Sequence, residues 1–285
     1  MAALAAGRTG ARTIAFPTGA HIHVTDTGDG VATVFLHGIG GNGGQWAPIL
    51  SKLTSAGRLI AWDARCYGQS DGPPPSNFSA FADDLLALLD ALQLKRILAV
   101  GHSMGGRILI EAALRAPERF GALFLSGTQP AYLAHMSEAD RAAYVSARET
   151  LFEAGRVPPQ KAEKVARSVL APGTGAPAIK RLADDFVRLR PEGYLAALKV
   201  SFGWDRRADL AALKMPVRVV SGALDTVCPA AETLALADAV GDPSPVLLRG
   251  VGHMPQIEAP QVFAELVGAF IAEHSPPLQS GEVAR

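Results

Sequence analysis

The strongest constraint on this chain is the pentapeptide Gly101-His102-Ser103-Met104-Gly105, set directly after the apolar run Ile97-Leu98-Ala99-Val100. An apolar run that ends in G-x-S-x-G and continues into helix-forming residues implies a strand that turns at once into a helix, with the serine at the apex. The glycines have a mechanical reason. Strand and helix backbones approach closely at such a turn, and a serine on a strained backbone needs small neighbours on either side. The turn lifts the hydroxyl away from the sheet and leaves the following amide, that of Met104, free to stabilise an oxyanion.

The rest of the sequence supplies the layers such a turn needs. Val31–Leu36, Leu59–Trp62, Ile97–Val100, Leu123–Leu125, Val217–Val220 and Val246–Leu248 are short, nearly continuous apolar runs, as expected of strands buried on both faces. Between them lie helical patterns. Ser79–Leu94 places Leu85, Leu88, Leu89 and Leu92 at helical spacing, and Arg107–Arg115 is stopped by Ala116-Pro117. Helices are also predicted near Ala230–Val240 and Pro260–Glu273, and a hairpin over residues 12–28 with Thr18-Gly19 as its turn. The alternation predicts an α/β fold with a mostly parallel sheet flanked by helices.

From Pro130 to Asp205 the alternation stops. The segment has helical patterns and no strand, with Ser137 as a candidate N-cap and Glu138 and Asp140 in the first turn behind it. The expected organisation is a discontinuous core, residues 12–130 and 206–275, interrupted by an all-helical cap over 131–205 that covers the site. Residues 1–11 and 276–285 are expected to be disordered tails.

Composition excludes several classes. Of 285 residues 48% are hydrophobic, and 27 basic residues balance 27 acidic ones, so no basic stripe suggests a nucleic-acid partner. No run approaches the ~18 apolar residues of a membrane span. The two cysteines, Cys66 and Cys228, lie far apart, without metal-ligand spacing or a disulfide framework. The first 16 residues lack the apolar stretch of a signal peptide. The expectation is a cytoplasmic protein acting on a small molecule, monomeric or a small homo-oligomer, with no membrane partner, metal or cofactor.

Ligands of an open α/β sheet bind at the carboxyl ends of its strands. Two polar residues stand out there. Asp225 follows the strand Val217–Val220, and His253 follows Val246–Leu248. With Ser103 they give the order Ser, Asp, His that accompanies this kind of turn. The chemistry needs those types. A serine hydroxyl requires a base within hydrogen-bond reach, and a histidine, with an unperturbed pKa of about 6.5, can accept and return its proton. A carboxylate orients the imidazole and stabilises its charged form. The amides of Met104 and Ile39, the latter in the loop His37-Gly38-Ile39-Gly40-Gly41 after the first strand, are the candidate oxyanion donors. His37 is expected to anchor that loop.

A second reading competes for the same loop. Gly38, Gly40 and Gly43 fit G-x-G-x-x-G, and Asp63 lies 20 residues beyond Gly43 at the end of the next strand, matching a dinucleotide fingerprint. The His-Gly start and the turn cluster Asp63–Ser70 count against it.

The combined segments resemble the α/β-hydrolase superfamily in its cap-bearing branch. The matches are His37-Gly38, Asp63-x-Arg65-x-x-Gly68-x-Ser70, Gly101–Gly106, Gly222-x-x-Asp225 and Gly252-His253. Within it, Trp62–Arg65, Ser70–Pro73, Ser103–Arg107 and Arg190–Tyr194 look like 3-oxoadipate enol-lactonases. The resemblance implies a serine hydrolase of a small carboxylic ester or lactone, acting through an acyl-enzyme without a cofactor, in aromatic catabolism. The alternative with the same triad is carbon–carbon bond hydrolysis of a meta-cleavage product; a catalytically silent ligand-binding member is a further alternative. Cys66 departs from the family, which has glycine before the Tyr-Gly pair. The serine at the apex argues against the dehalogenase and epoxide hydrolase branches, which carry aspartate there.

Trp204, Phe202, Tyr132 and Met136, in or beside the insertion, and Met254 after His253 are candidate pocket lining. Packing of the insertion against the core is their other reading. A carboxylated substrate would want a cation. Lys180, Arg181, Arg188 and Arg190 lie in the insertion; the sequence does not choose among them, and Arg188 is carried as the candidate.

Overall fold

Two antiparallel strands open the chain in the structure, a computed structural model that describes residues 9–134 and 136–275. β1 (Thr9–Ala15) and β2 (His21–Thr27) pair about Gly19, whose φ of +79° suits glycine. β1 begins three residues before the expected start at residue 12. It is a largely exposed edge strand, so backbone pairing to β2 extends it without an apolar signal in the side chains. The expected tail over 1–11 therefore includes residues 9–11 of a strand, and residues 1–8 and 276–285 lie outside the described residues.

The remaining strands are β3 (Ala32–Leu36), β4 (Arg58–Trp62), β5 (Ile97–His102), β6 (Phe120–Ser126), β7 (Val217–Gly222) and β8 (Val246–Leu248). They form one eight-stranded sheet in the order β1-β2-β4-β3-β5-β6-β7-β8. β2 meets β4 antiparallel; β3 to β8 run parallel. β6 starts at Phe120 rather than Leu123: Gly121 interrupts the apolar run and is skipped in the register with β5, which pairs Ile97 with Phe120 and Leu98 with Ala122.

Helices α1 (Ala47–Leu50), α2 (Ser79–Ala91), α3 (Met104–Arg115), α8 (Ala230–Val240), α9 (Pro255–Glu258) and α10 (Pro260–His274) cover the two faces. The continuous apolar strands divide their side chains with period two. Val34, Leu36, Ile97 and Ala99 point to the core under α2 and α3. Phe35, Leu98 and Val100 point to the core beneath Trp46, Phe263 and Phe270. Each such Leu, Ile or Phe contributes about 1.5–3 kcal/mol by burial.

Between β6 and β7 come α4 (Glu138–Glu149), α5 (Pro159–Val169), α6 (Ala176–Val187) and α7 (Pro191–Ser201). Ser137 caps α4, its hydroxyl accepting from the Asp140 amide at 3.1 Å. The insertion leaves and re-enters the core at one place. Ala131 bridges Asp205, Tyr132 N–H donates to the Trp204 carbonyl at 2.9 Å, and Arg206 N–H donates to Pro130 at 2.9 Å. The buried Glu111 of α3 receives Trp204 Nε1 (3.1 Å), Arg206 Nε (2.8 Å) and the Ser79 hydroxyl (2.9 Å), which ties this junction to the core. Among the described residues no helix is long and apolar enough to cross a membrane.

Candidate active site

β5 ends at His102 and α3 begins at Met104, so Ser103 alone makes the turn. Its φ of 52° and ψ of −114° place a non-glycine residue in a strained region. The glycines around it are required by contact. A Cβ on Gly105 would lie 2.3 Å from the Leu36 carbonyl oxygen, and one on Gly101 would lie 2.6 Å from the Gly106 nitrogen. On Gly38 it would lie 3.0 Å from Ser103 Cβ, so the loop after β3 sits directly against the serine.

His253 stands in the loop between β8 and α9. Its Nδ1 lies 2.8 Å from Asp225 Oδ2. The carboxylate has no proton to offer, so Nδ1 carries the hydrogen and Nε2 is left as the acceptor. Asp225 is held from both ends. Oδ1 accepts from the amides of Val227 and Cys228, each at 2.8 Å, and Oδ2 also accepts from the Ser221 hydroxyl at 3.2 Å. The loops bearing Asp225 and His253 touch at Gly222, where a Cβ would lie 2.0 Å from the Gly252 carbonyl oxygen. Ser103 and His253 line one cavity of about 340 Å³, and no hydrogen bond joins them directly.

Ile39 also lines this cavity. Its loop is a turn closed by Gly41 N–H on the Gly38 carbonyl (3.0 Å), with Gly40 at φ +82° in the position that a type II turn reserves for glycine. Met104 is the first residue of α3, where no amide has an intrahelical partner. Among the described residues neither the Ile39 nor the Met104 amide donates to a protein acceptor.

His37 is wholly buried behind the loop. Its Nε2 accepts from the Ala64 amide at 2.9 Å and its Nδ1 donates to the Gly38 carbonyl at 2.8 Å. Burial holds its pKa below the ordinary value, so it is a neutral brace. Asp63 is committed in the same way, one oxygen to the Gly43 amide (2.6 Å) and the other to that of Gln69 (2.7 Å). A Cβ on Gly40 would meet the Phe186 ring of α6 at 2.7 Å. The acid that a dinucleotide would need is occupied, and the glycine loop is covered by the insertion.

The other expected pocket residues divide. Tyr132 lines the cavity. Phe202 does not: it stacks on Tyr132 at 6.0 Å and meets Tyr144 edge-on, filling space between α4 and α7. Trp204 packs on Phe78 at 5.2 Å and donates to Glu111, which fixes the junction of insertion and core. Met136 and Met254 also lie outside the cavity lining. Met136 closes a turn on Leu133, and Met254 is buried in the main core. Arg188 is displaced for a clear reason. It pairs with Asp185, three residues back, at 2.7 Å, and its side chain is 67% exposed. Cys66 adopts φ +65°, the left-handed backbone that glycine would adopt more cheaply.

Three residues escaped the sequence reading. Arg107 and Arg148 both line the cavity. Glu258, the last residue of α9, clasps the His253 loop. Its Oε1 accepts from the Met254 amide (3.0 Å), and its Oε2 accepts from Gly252 N–H (3.0 Å), Ala171 N–H (2.7 Å) and the Thr174 hydroxyl (3.1 Å). One carboxylate thus binds the amides on either side of His253 and the α5–α6 connection together. The only sequence sign of it is an acid placed five residues after the histidine.

Comparison with known proteins identifies the family and the fold. The family model for the alpha/beta hydrolase fold matches residues 32–260. The strigolactone esterase D14 of Arabidopsis thaliana is 30% identical over 265 residues, 87% of this chain and 94% of that protein. The 3-oxoadipate enol-lactonase 2 of Acinetobacter baylyi is 27% identical, over 85% of this chain and 89% of that protein. A malate-bound thermophilic esterase from Thermogutta terrifontis superposes with a TM-score of 0.84 at 25% identity, over 94% of this chain and all of that one.

Proposed function

Because the chain belongs to the alpha/beta hydrolase fold family, we propose that it is a serine hydrolase of a small carboxylic ester or lactone. Ser103 is the nucleophile, His253 the base, Asp225 the residue that orients it, and Ile39 and Met104 the oxyanion donors. The observation that carries this reading is one arrangement: Ser103 and His253 share a cavity, with Nδ1 of His253 pinned by Asp225 at 2.8 Å.

In this reading the reaction has two halves. Ser103 Oγ attacks the carbonyl carbon and its proton passes to His253 Nε2. The carbonyl oxygen becomes an oxyanion facing the Ile39 and Met104 amides; one such donor is worth about 2.7–4 kcal/mol in comparable sites. Collapse breaks the bond to the alkoxy oxygen, which takes the proton from His253. In a lactone that alcohol stays on the acyl chain. Water then attacks the acyl-enzyme with His253 again accepting a proton, and the carboxylic acid leaves as Ser103 recovers its hydrogen. Asp225 stabilises the imidazolium in both halves. Residues 131–205 act as a cap in this reading. Val169, Phe186 and Tyr194 of that segment line the cavity and limit its size.

The reading is tested by turnover of a 4-nitrophenyl ester by the wild type and by Ser103→Ala. The expected result is loss of burst and steady-state hydrolysis in the variant. Near wild-type turnover by Ser103→Ala would refute it.

A further inference from the structure

Among the described residues three arginines are buried almost completely: Arg58, Arg65 and Arg107. Two of them have bidentate carboxylates. Arg58 donates through Nε and Nη2 to Asp26 at 2.9 and 2.7 Å, and Arg65 donates likewise to Asp84. Arg107 is the most buried of the three, 2% exposed; its guanidinium makes no ion pair or hydrogen bond among the described residues, and its buried Nη1 has no partner. Its guanidinium lies 4.1 Å over the Tyr132 ring and 5.5 Å from that of Phe78. Those faces offset part of the lost hydration, but a ring accepts no directed hydrogen bond from the five N–H groups. Burial lowers its pKa to about 10, so the group is still a cation at neutral pH.

The place of this cation matters. Arg107 lies four residues after Ser103, one turn along α3, and lines the cavity that Ser103 and His253 share. Arg148 brings a second guanidinium to the same cavity, 3.4 Å over the Tyr144 ring. No aspartate or glutamate is among the described residues that line it. A buried, planar, five-donor cation without a protein acceptor carries a desolvation cost that an anion brought in from outside would offset.

We propose that Arg107 anchors a carboxylate borne by the substrate, so that the site selects small esters or lactones carrying their own negative charge. The inference rests on Ser103 being the nucleophile. The guanidinium fork would receive the carboxylate while the reacting carbonyl lies one helical turn away, at Ser103. Arg148 adds charge at the same cavity without being the anchor, since it is only half-buried.

The test uses two esters of matched length, mono-4-nitrophenyl glutarate and 4-nitrophenyl valerate, which differ in a terminal carboxylate against a methyl. The readout is the ratio of kcat/KM, glutarate over valerate, for wild type, Arg107→Met and Arg107→Lys. The wild type should prefer the glutarate. The ratio should fall by about 10- to 100-fold in Arg107→Met, the loss expected of a charge-assisted hydrogen-bonded pair. Arg107→Lys should restore part of it. A purely structural role would lower both rates in parallel and leave the ratio unchanged, which overturns the proposal, as does a wild type without preference. Should Arg107→Met fail to fold, inhibition of wild-type valerate turnover decides. Free glutarate must inhibit more strongly than valeramide, and equal inhibition overturns the proposal. Ser103→Ala separates the two layers: if it is inactive while the ratio ignores Arg107, only the anchor fails; if it stays active, the anchor falls with the hydrolase reading.

Discussion

The amide of His253 donates to the carbonyl of Val169, 2.9 Å away, so the candidate base is hydrogen-bonded to the last residue of α5. The histidine's loop thus takes part of its support from the insertion. A Cβ on Gly252 would lie 2.5 Å from the Ala171 nitrogen, so the two backbones are in contact there. Glu258 completes the joint by accepting from both sides of it.

Glu258 is accordingly expected to be a positioning residue. Glu258→Ala removes the acceptor of four donors, with hydrogen bonds to charged groups each worth about 1.5–3 kcal/mol and not additive. The variant should lose about tenfold or more in kcat while KM changes far less, because Glu258 is not part of the cavity lining. Glu258→Gln, which keeps one oxygen acceptor, should fall between. Steady-state kinetics of both variants check this, and a loss confined to KM would contradict it.

Asp225→Asn should leave the fold in place and remove the tautomer control. The amide can turn an N–H toward Nδ1, which then accepts, leaving the proton on Nε2, where Ser103 as the proposed nucleophile needs a base. A fall in kcat on the order of 10³- to 10⁴-fold follows from the general logic of such triads. Ester turnover together with circular dichroism separates this from unfolding.

Two buried histidines set a pH limit on stability. Burial drives the pKa of His102 well below the ordinary value of 6.5, and lowers that of His37. In the unfolded chain both take up a proton near 6.5, and in the fold they resist it. Their unfolded state therefore binds more protons in the window between the folded pKa and 6.5. Stability is complete above pH 6.5 and declines as pH falls below it, by up to about 1.4 kcal/mol per pH unit for each histidine. Thermal melts from pH 8 to pH 5 should be flat at the top and fall at the bottom, and His102→Gln should make the fall shallower.

At the turn, Gly105→Ala should be severe. The added Cβ would meet a backbone oxygen at 2.3 Å and a side chain at 2.8 Å, and a strand backbone has nowhere to move. Overpacking of this kind costs about 1–3 kcal/mol or more. A melting temperature equal to that of the wild type would count against the tight strand–helix contact.

The core was readable because each buried strand carries an apolar run and each candidate site residue follows one. Asp225 and His253 are found by asking what stands after Val217–Val220 and Val246–Leu248, and the structure brings His253 to the cavity of Ser103. Polar side chains whose partners are backbone or absent were not readable. Glu258 is identified by amides at 171, 252 and 254, which have no side-chain signature. Arg107 was legible only as part of a glycine-rich helix start; its isolation depends on Tyr132 folding over it from the insertion. Arg188, the candidate cation in the sequence, is claimed by Asp185 one turn back.

The most direct measurement of the central claim is covalent. The wild-type protein is treated with a fluorophosphonate probe and its peptides are mapped by mass spectrometry. The account predicts a single adduct on Ser103, formed quickly in the wild type and far more slowly in His253→Ala. An unlabelled Ser103, or an adduct that forms at the same rate without His253, would contradict it.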